Sequence, residues 1–263
     1  MNGRVVFVGA GPGAADLITV RGQRAIDAAD IVIWASSLVH PDVVATARGE
    51  LVDSAVLTTE EVGAHYVRAA GEGLTVARVH SGDPAIYGAM HEQLALCRSL
   101  GLATEVIPGV SSFTTLAAAV QRELTVAEVA QSIVLTRLEG GKTPMPPREK
   151  VREFARHGTT MALFLSAARG RQLQDELLAG GYARDTPCVV GFQVSWPDEL
   201  ILECALDDLA ATLREHHLNR HTLMLVGPAL ADSETRSHLY HPGHFTVHRR
   251  ADPEARKALK AAR

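Results

Sequence analysis

Arg4-Val5-Val6-Phe7-Val8-Gly9-Ala10-Gly11-Pro12-Gly13 decides how this chain folds. Its apolar, β-branched run reads as a buried strand. The glycines break that strand, and they let a backbone turn sharply and a ligand approach main-chain atoms. Outward from this stretch, strand-like and helix-like segments alternate. Thr19 to Ala29 has helical composition, and Ile31-Val32-Ile33-Trp34 reads as a second strand. Glu50-Leu51-Val52 is a third, Glu60 to Ala70 a helix, and Thr75 to His80 a fourth strand. Met90 to Leu100 reads as a helix stopped by Gly101, and Thr104 to Ile107 as a fifth strand stopped by Pro108-Gly109. This alternation argues for an α/β fold with a parallel, doubly wound sheet. Near-continuous apolar strands fit burial on both faces.

The alternation restarts in the second half. Ser132 to Thr136 reads as a strand, Glu139 to Pro147 as a Gly/Pro-rich loop, and Glu149 to His157 as a helix. Thr160 to Leu165 is strand-like and Arg169 to Ala179 helical. Pro187 to Val194 and Leu200 to Cys204 flank Trp196-Pro197-Asp198 as a hairpin, which makes this second sheet mixed. Leu206 to Glu215 reads as a helix and Thr222 to Val226 as the last strand. The expected division is an α/β domain over 1–120, a second over 121–235, and a polar tail over 236–263.

The 263 residues are 46% hydrophobic and 21% charged, which excludes disorder and collagen-like structure. With 26 Lys and Arg against 30 Asp and Glu, no broad basic field exists for nucleic acid. Cys97, Cys188 and Cys204 form no C-x-x-C pair and suggest a reducing compartment. The N-terminus runs into a strand without a signal-peptide pattern, and no apolar run reaches the ~20 residues of a membrane helix. A cytoplasmic protein without membrane partners is expected.

Three small-residue loops follow strands one, four and five: Gly9 to Gly13, Ser81-Gly82-Asp83-Pro84, and Pro108 to Ser112. Ligands of open α/β sheets sit outside the carboxyl ends of the strands, so these loops are expected to line one pocket. It is not a dinucleotide site of the usual kind. The third glycine comes one residue early for G-x-G-x-x-G, and the second strand runs into Ala35-Ser36-Ser37 with no acid for a ribose hydroxyl. Gly140-Gly141-Lys142-Thr143 is not a P-loop, because Thr136 stands where the first glycine belongs.

Together these residues carry a resemblance. Val8 to Gly13, Leu17-Ile18-Thr19-Val20-Arg21-Gly22 and Ala29-Asp30-Ile31-Val32 resemble the opening of the tetrapyrrole methylases. Ser81-Gly82-Asp83-Pro84-Ala85-Ile86-Tyr87-Gly88 and Val106 to Ser112 resemble that family's next two motifs. The resemblance runs from about Val5 to Leu230. Leu135-Thr136-Arg137 with Lys142-Thr143-Pro144, Ser195-Trp196-Pro197-Asp198-Glu199 and Ser36-Ser37-Leu38-Val39 resemble the branch that methylates C11 of precorrin-4 in cobalamin synthesis. The cobalt-free and cobalt-bound forms of that step are not separated by these residues.

The resemblance implies two α/β domains with S-adenosylmethionine in a cleft between them, usually in a homodimer. It implies cofactor contacts from Gly11 and Pro12, from Ser81, Gly82, Asp83 and Ile86, and from Ser111 and Ser112. Leu165, Val194, Thr222 and Leu223 are implied to close over the cofactor. Two departures stand out: relatives often have Gly-Gly-Asp at Ser81-Gly82-Asp83, and siroheme-type relatives a methionine at Leu165. Siroheme-type relatives also carry an acid after the second strand, where this chain offers Ser36 and Ser37 as substrate contacts.

Methyl transfer from a sulfonium to carbon needs positioning and a dry pocket, not a metal or a nucleophilic triad. A tetrapyrrole with acetate and propionate arms calls for Arg and Lys. Residues 137–152 hold five cations against two acids, with Arg137 at a strand end and Lys142 in the loop after it. These two are the expected substrate contacts. His216, His217 and His221, and His238, His241, His244 and His248, match no standard zinc spacing, so no metal is expected. His80 is read as a buried histidine rather than a base.

Overall fold

The computed structural model describes residues 3–140, 143–233, 235, 237 and 240–261. Its first sheet is built from β1 (Arg4–Gly9), β2 (Ile31–Trp34), β3 (Glu50–Asp53), β4 (Thr75–His80) and β5 (Ala103–Ile107), in the order β3-β2-β4-β1-β5. The pairings are parallel, with Val5 opposite both Val76 and Thr104, and Ile31 opposite Val76 and Glu50.

Successive strand residues point to opposite faces, so each face gathers alternate residues. Val6, Val8, Val32, Ala77 and Val79 pack on one face with Ile26 of α1 (Val20–Asp27) and with Val39, Val43 and Val44. Val5, Phe7, Ile31, Ile33 and Val76 pack on the other. Tyr66 and Ala69 of α2 (Thr59–Glu72) and Cys97 of α3 (Met90–Ser99) cover that second face. Burial on both faces is what the unbroken apolar strands required. β5, at the edge, is exposed over Ala103–Val106 and buried only at Ile107. A helix not expected from the sequence, α4 (Ser112–Ala119), follows it.

The second sheet has the order β6-β7-β10-β8-β9, from β6 (Ile133–Arg137), β7 (Thr160–Phe164), β8 (Pro187–Phe192), β9 (Leu200–Ala205) and β10 (Thr222–Val226). β6 runs parallel to β7 and β10 antiparallel to it, so the sheet is mixed. Its helices are α5 (Val151–Ala155), α6 (Gly170–Ala179) and α7 (Leu209–Glu215). α5 is shorter than Glu149 to His157 because Pro147–Glu149 forms a separate 3-10 turn and Lys150 is extended. The polar tail carries α8 (Pro253–Ala261), which buries no side chain. Cys188 and Cys204 lie on adjacent strands, and the Cys188 thiol donates to the Thr186 carbonyl at 3.6 Å.

The chain divides into two compact units. The first holds Met1–Val120, Val190–Leu202 and Arg220–Leu223; the second holds Gln121–Val189, Glu203–Asn219 and Met224–Arg263.

Candidate active site

Parallel strands present all their carboxyl ends along one edge of the first sheet. β4, β1 and β5 are consecutive neighbours there, ending at His80, Gly9 and Ile107. The loops beyond them are joined backbone to backbone. The Ala10 N–H donates to the His80 carbonyl at 2.8 Å. Gly11 and Gly82 exchange two hydrogen bonds, at 3.2 and 2.7 Å, each at positive φ (80° and 64°). That left-handed backbone suits glycine. A Cβ on Gly9 would fall 2.5 Å from the Gly109 Cα and 2.8 Å from the Gly82 carbonyl oxygen, so this approach admits no side chain.

Asp83 closes the arrangement. Its carboxylate accepts from the Gly109 N–H at 3.0 Å and the Ala85 N–H at 2.8 Å, so it holds the fourth strand's loop to the fifth's. Ile86 is half-buried, and its N–H donates to the Asp83 carbonyl. Ser111, buried, lies beside Gly82: a Cβ there would meet nothing nearer than the Ser111 Cα at 3.9 Å. The Ser81, Ser111 and Ser112 hydroxyls make no hydrogen bond to a described residue. The edge therefore combines a rigid backbone frame, open space at Gly82 and free hydroxyls. That set fits a small cofactor read through main chain and hydroxyl groups.

The Ser195 to Glu199 segment, in the same unit, seats on the first glycine loop. The Trp196 Nε1–H donates to the Pro12 carbonyl at 3.0 Å, and Ser195 Oγ accepts from the Ala14 N–H at 3.0 Å. A Cβ on Gly13 would collide with the indole, 3.0 Å from its Cγ. His40 meets the indole edge-on, with centroids 5.0 Å apart. Glu199 accepts from the Ser195 N–H at 2.6 Å and holds Ser195 at φ 67°. Val194 is buried against Gly191, and Thr222 and Leu223 are buried too. The Thr222 hydroxyl is already bound to the Arg220 carbonyl.

Ser36 and Ser37 are exposed beyond β2. Ser36 is not free: its N–H and hydroxyl donate to the Asp53 carboxylate at 3.0 and 2.5 Å. These bonds, with one from the Ala55 N–H, hold Asp53 below the usual carboxylate range. The Ser37 backbone is bound by His221. Sequence reasoning missed Asp53, because only the pairing of β2 with β3 brings it to Ser36. Gly9 and Gly109 fall in loops the sequence placed at the pocket, and the structure adds that the two backbones meet there.

His80 is buried, stacks on Phe7 with centroids 5.9 Å apart, and its Nε2 has no hydrogen-bond partner among the described residues. Burial, then the nearby Arg78 cation, push its pKa down to about 3. A neutral, enclosed imidazole is not a base poised for neutral pH.

In the second unit, Leu165 is 71% exposed and held at φ 52° after β7. Such backbone is uncommon for a branched residue. Arg137 ends β6, and its Nη1 donates to the Leu138 and Thr143 carbonyls at 3.3 and 3.2 Å. Lys142 lies outside the described residues, as does His238. Among the described residues, no three His, Cys, Asp or Glu side chains group to hold a metal ion.

Residues 4–210 match the family model of the Tetrapyrrole (Corrin/Porphyrin) Methylases. The chain is 42% identical over 243 residues to a precorrin-4 C(11)-methyltransferase of Sinorhizobium sp, covering 91% of this chain and 96% of that one. It is similar to the solved cobalamin biosynthetic enzyme cobalt precorrin-4 methyltransferase, CbiF. The TM-score is 0.84 at 39% identity, over 87% of this chain and 96% of that one. Uroporphyrin-III C-methyl transferase from Thermus thermophilus, solved with S-adenosyl homocysteine, matches with TM-score 0.74 at 28% identity, over 87% of this chain and 99% of that one. The chain belongs to the tetrapyrrole (corrin/porphyrin) methylases.

Proposed function

We propose that this chain is an S-adenosylmethionine-dependent C-methyltransferase that methylates C11 of precorrin-4 to give precorrin-5 in cobalamin biosynthesis. The observation that carries the reading is the near-full-length 42% identity to an enzyme of that name. The backbone-built edge of the first sheet, with its free serine hydroxyls, supports it. A second reading is favoured by the similarity to CbiF: the substrate already carries cobalt.

S-adenosylmethionine, when bound, supplies a methyl group activated by a sulfonium. Ser81, Ser111 and Ser112 hold it by their hydroxyls. Gly11, Pro12 and Gly82 present main-chain atoms to it, and Asp83 keeps Gly82 and Gly109 in register. Ile86, Val194, Leu165, Thr222 and Leu223 exclude water around it. A dry site suits a reaction in which a cationic donor loses its charge. Arg137 and Lys142 pair with the carboxylate arms of the tetrapyrrole, and Ser36 and Ser37 border the macrocycle. The attacking electrons come from the ring carbon, so positioning is the protein's main contribution.

Two domains over 1–120 and 121–235, a tail over 236–263, a homodimer and a cytoplasmic location complete the proposal. Among the described residues no helix is long and apolar enough to cross a membrane. Calorimetry with S-adenosylhomocysteine, with NAD as control, tests the cofactor. Saturable binding of the former alone is expected; binding of NAD alone overturns the reading. Turnover of precorrin-4 against its cobalt form separates the two substrates. Light scattering after gel filtration tests the dimer.

A further inference from the structure

Arg78 lies in the middle of the first sheet's β4 and points to the face that α2 and α3 cover. It is largely buried, and burial pulls its pKa below the usual arginine range. A buried cation is costly unless paired. Yet among the described residues no carboxylate forms an ion pair with it. The fold meets it with neutral acceptors instead. Its Nε donates to Gln93 Oε1 at 3.1 Å, and its Nη1 to Ser54 Oγ at 2.9 Å and to the Ile33 carbonyl at 3.4 Å. Gln93 is fixed in turn by the Tyr66 hydroxyl, which donates to it at 2.8 Å. The Nη2 group makes no hydrogen bond to a described residue and is not sealed from solvent.

This guanidinium faces a cavity of about 140 Å³, whose wall includes Ser54, Thr58, Thr59, Ala89 and Gln93. At roughly 30 Å³ per water, that is room for a few waters or one small polar head. Glu92, an acid on the wall, makes no ion pair with Arg78. Two helices begin there: α2 after Thr58, and α3 after Ala89, which offers no side-chain cap. The α2 terminus is closed by the Thr58–Glu61 capping box, so the uncapped α3 terminus, with Glu92 in its first turn, is the one that adds its dipole to the field of the guanidinium. The chemistry is that of an anion site, with the Nη2 N–H groups as the charged donors still open to a ligand. Ala89 also ends the loop that starts at Ser81, so the cavity and the candidate site share that loop.

We infer that this cavity is a subsite for one carboxylate arm of the tetrapyrrole, anchored by Arg78. The inference rests on the tetrapyrrole reading above. A carboxylate could also come from the methionine end of the methyl donor, and separate KM values distinguish the two sources.

The test is steady-state turnover of the full chain with precorrin-4 and S-adenosylmethionine, comparing wild type, Arg78→Lys and Ala89→Asp. Ala89 sits at φ 46°, which aspartate tolerates better than alanine, so that variant is expected to fold. It gives Arg78 a carboxylate of its own and fills the subsite. The KM for precorrin-4 should rise about tenfold or more in Ala89→Asp, the scale of one lost charged hydrogen bond. In Arg78→Lys, which keeps the charge without the planar guanidinium, it should rise less. The KM for S-adenosylmethionine should stay within about twofold, and the melting temperature of Ala89→Asp should hold. An unchanged KM for precorrin-4 in a folded Ala89→Asp overturns the subsite. A parallel rise for both substrates overturns it too, in favour of the donor's carboxylate. A wild-type protein that does not methylate precorrin-4 overturns the substrate reading itself.

Discussion

The loops at the carboxyl edge of the first sheet and the loop after β6 differ in the balance of main-chain and side-chain contacts that holds them. At the first, Gly9, Gly11, Gly82 and Gly109 meet through main-chain atoms, and a Cβ on Gly109 would lie 2.8 Å from the Gly9 Cα. At the second, one reciprocal main-chain pair between Gly140 and Thr143, at 3.1 Å each way, is joined by long side chains. Arg137 binds the Leu138 and Thr143 carbonyls, and Arg169 binds those of Leu138 and Glu139. A Cβ on Gly140 would press on the Thr143 hydroxyl at 3.0 Å and otherwise reach the Thr143 nitrogen and the Arg169 Nη2 at 3.9 and 4.0 Å. The difference follows from the ligands each is proposed to take. A cofactor of constant shape suits a fixed main-chain frame. A macrocycle with charged arms suits cations on long side chains.

The largest effect should come from adding one methyl group to each region. Gly109→Ala should cost about 2–4 kcal/mol and abolish S-adenosylhomocysteine binding, because backbone cannot move aside. Gly140→Ala should stay within about 0.5 kcal/mol. Urea denaturation and calorimetry read both, and equal losses would break the comparison.

The frame's dry packing has a pH signature next in size. His80 has a pKa lowered from its ordinary 6.5 to about 3, so between those values the unfolded chain binds a proton that the folded chain refuses. Stability should be whole above pH 6.5 and fall as the pH drops toward 3. His80→Phe should flatten that part of the profile; an unchanged slope would show that His80 does not sit neutral in the fold.

Arg137→Ala sharpens the comparison from the other side. It should raise the KM for precorrin-4 about tenfold and leave S-adenosylhomocysteine affinity within about twofold. Loss of both together would remove the distinction between the regions. The smallest effect belongs to Trp196→Phe, which deletes the hydrogen bond to Pro12. It should cost about 1 kcal/mol in stability and weaken S-adenosylhomocysteine binding a few-fold.

The first sheet was legible because its strands are apolar throughout and glycine or proline punctuates their ends. The loops after strands one, four and five were legible for the same reason, and the parallel pairing brings them to one edge. What stayed hidden depends on partners distant in sequence. Nothing local ties Asp53 to Ser36, or Trp196 to Pro12, 184 residues away. Nor does anything local show that Arg78 lacks an acid. α4 was hidden because Ser111-Ser112 read as a loop and Phe113-Thr114-Thr115 are weak helix formers, although Leu116 to Ala119 are strong ones.

The most direct measurement is incubation of the purified protein with precorrin-4 and S-adenosylmethionine carrying a ¹³C-labelled methyl, followed by NMR of the product. The account predicts one labelled methyl attached at C11, with none transferred when the donor is left out. A label on another ring carbon, or no transfer from a protein that binds both compounds, would contradict it.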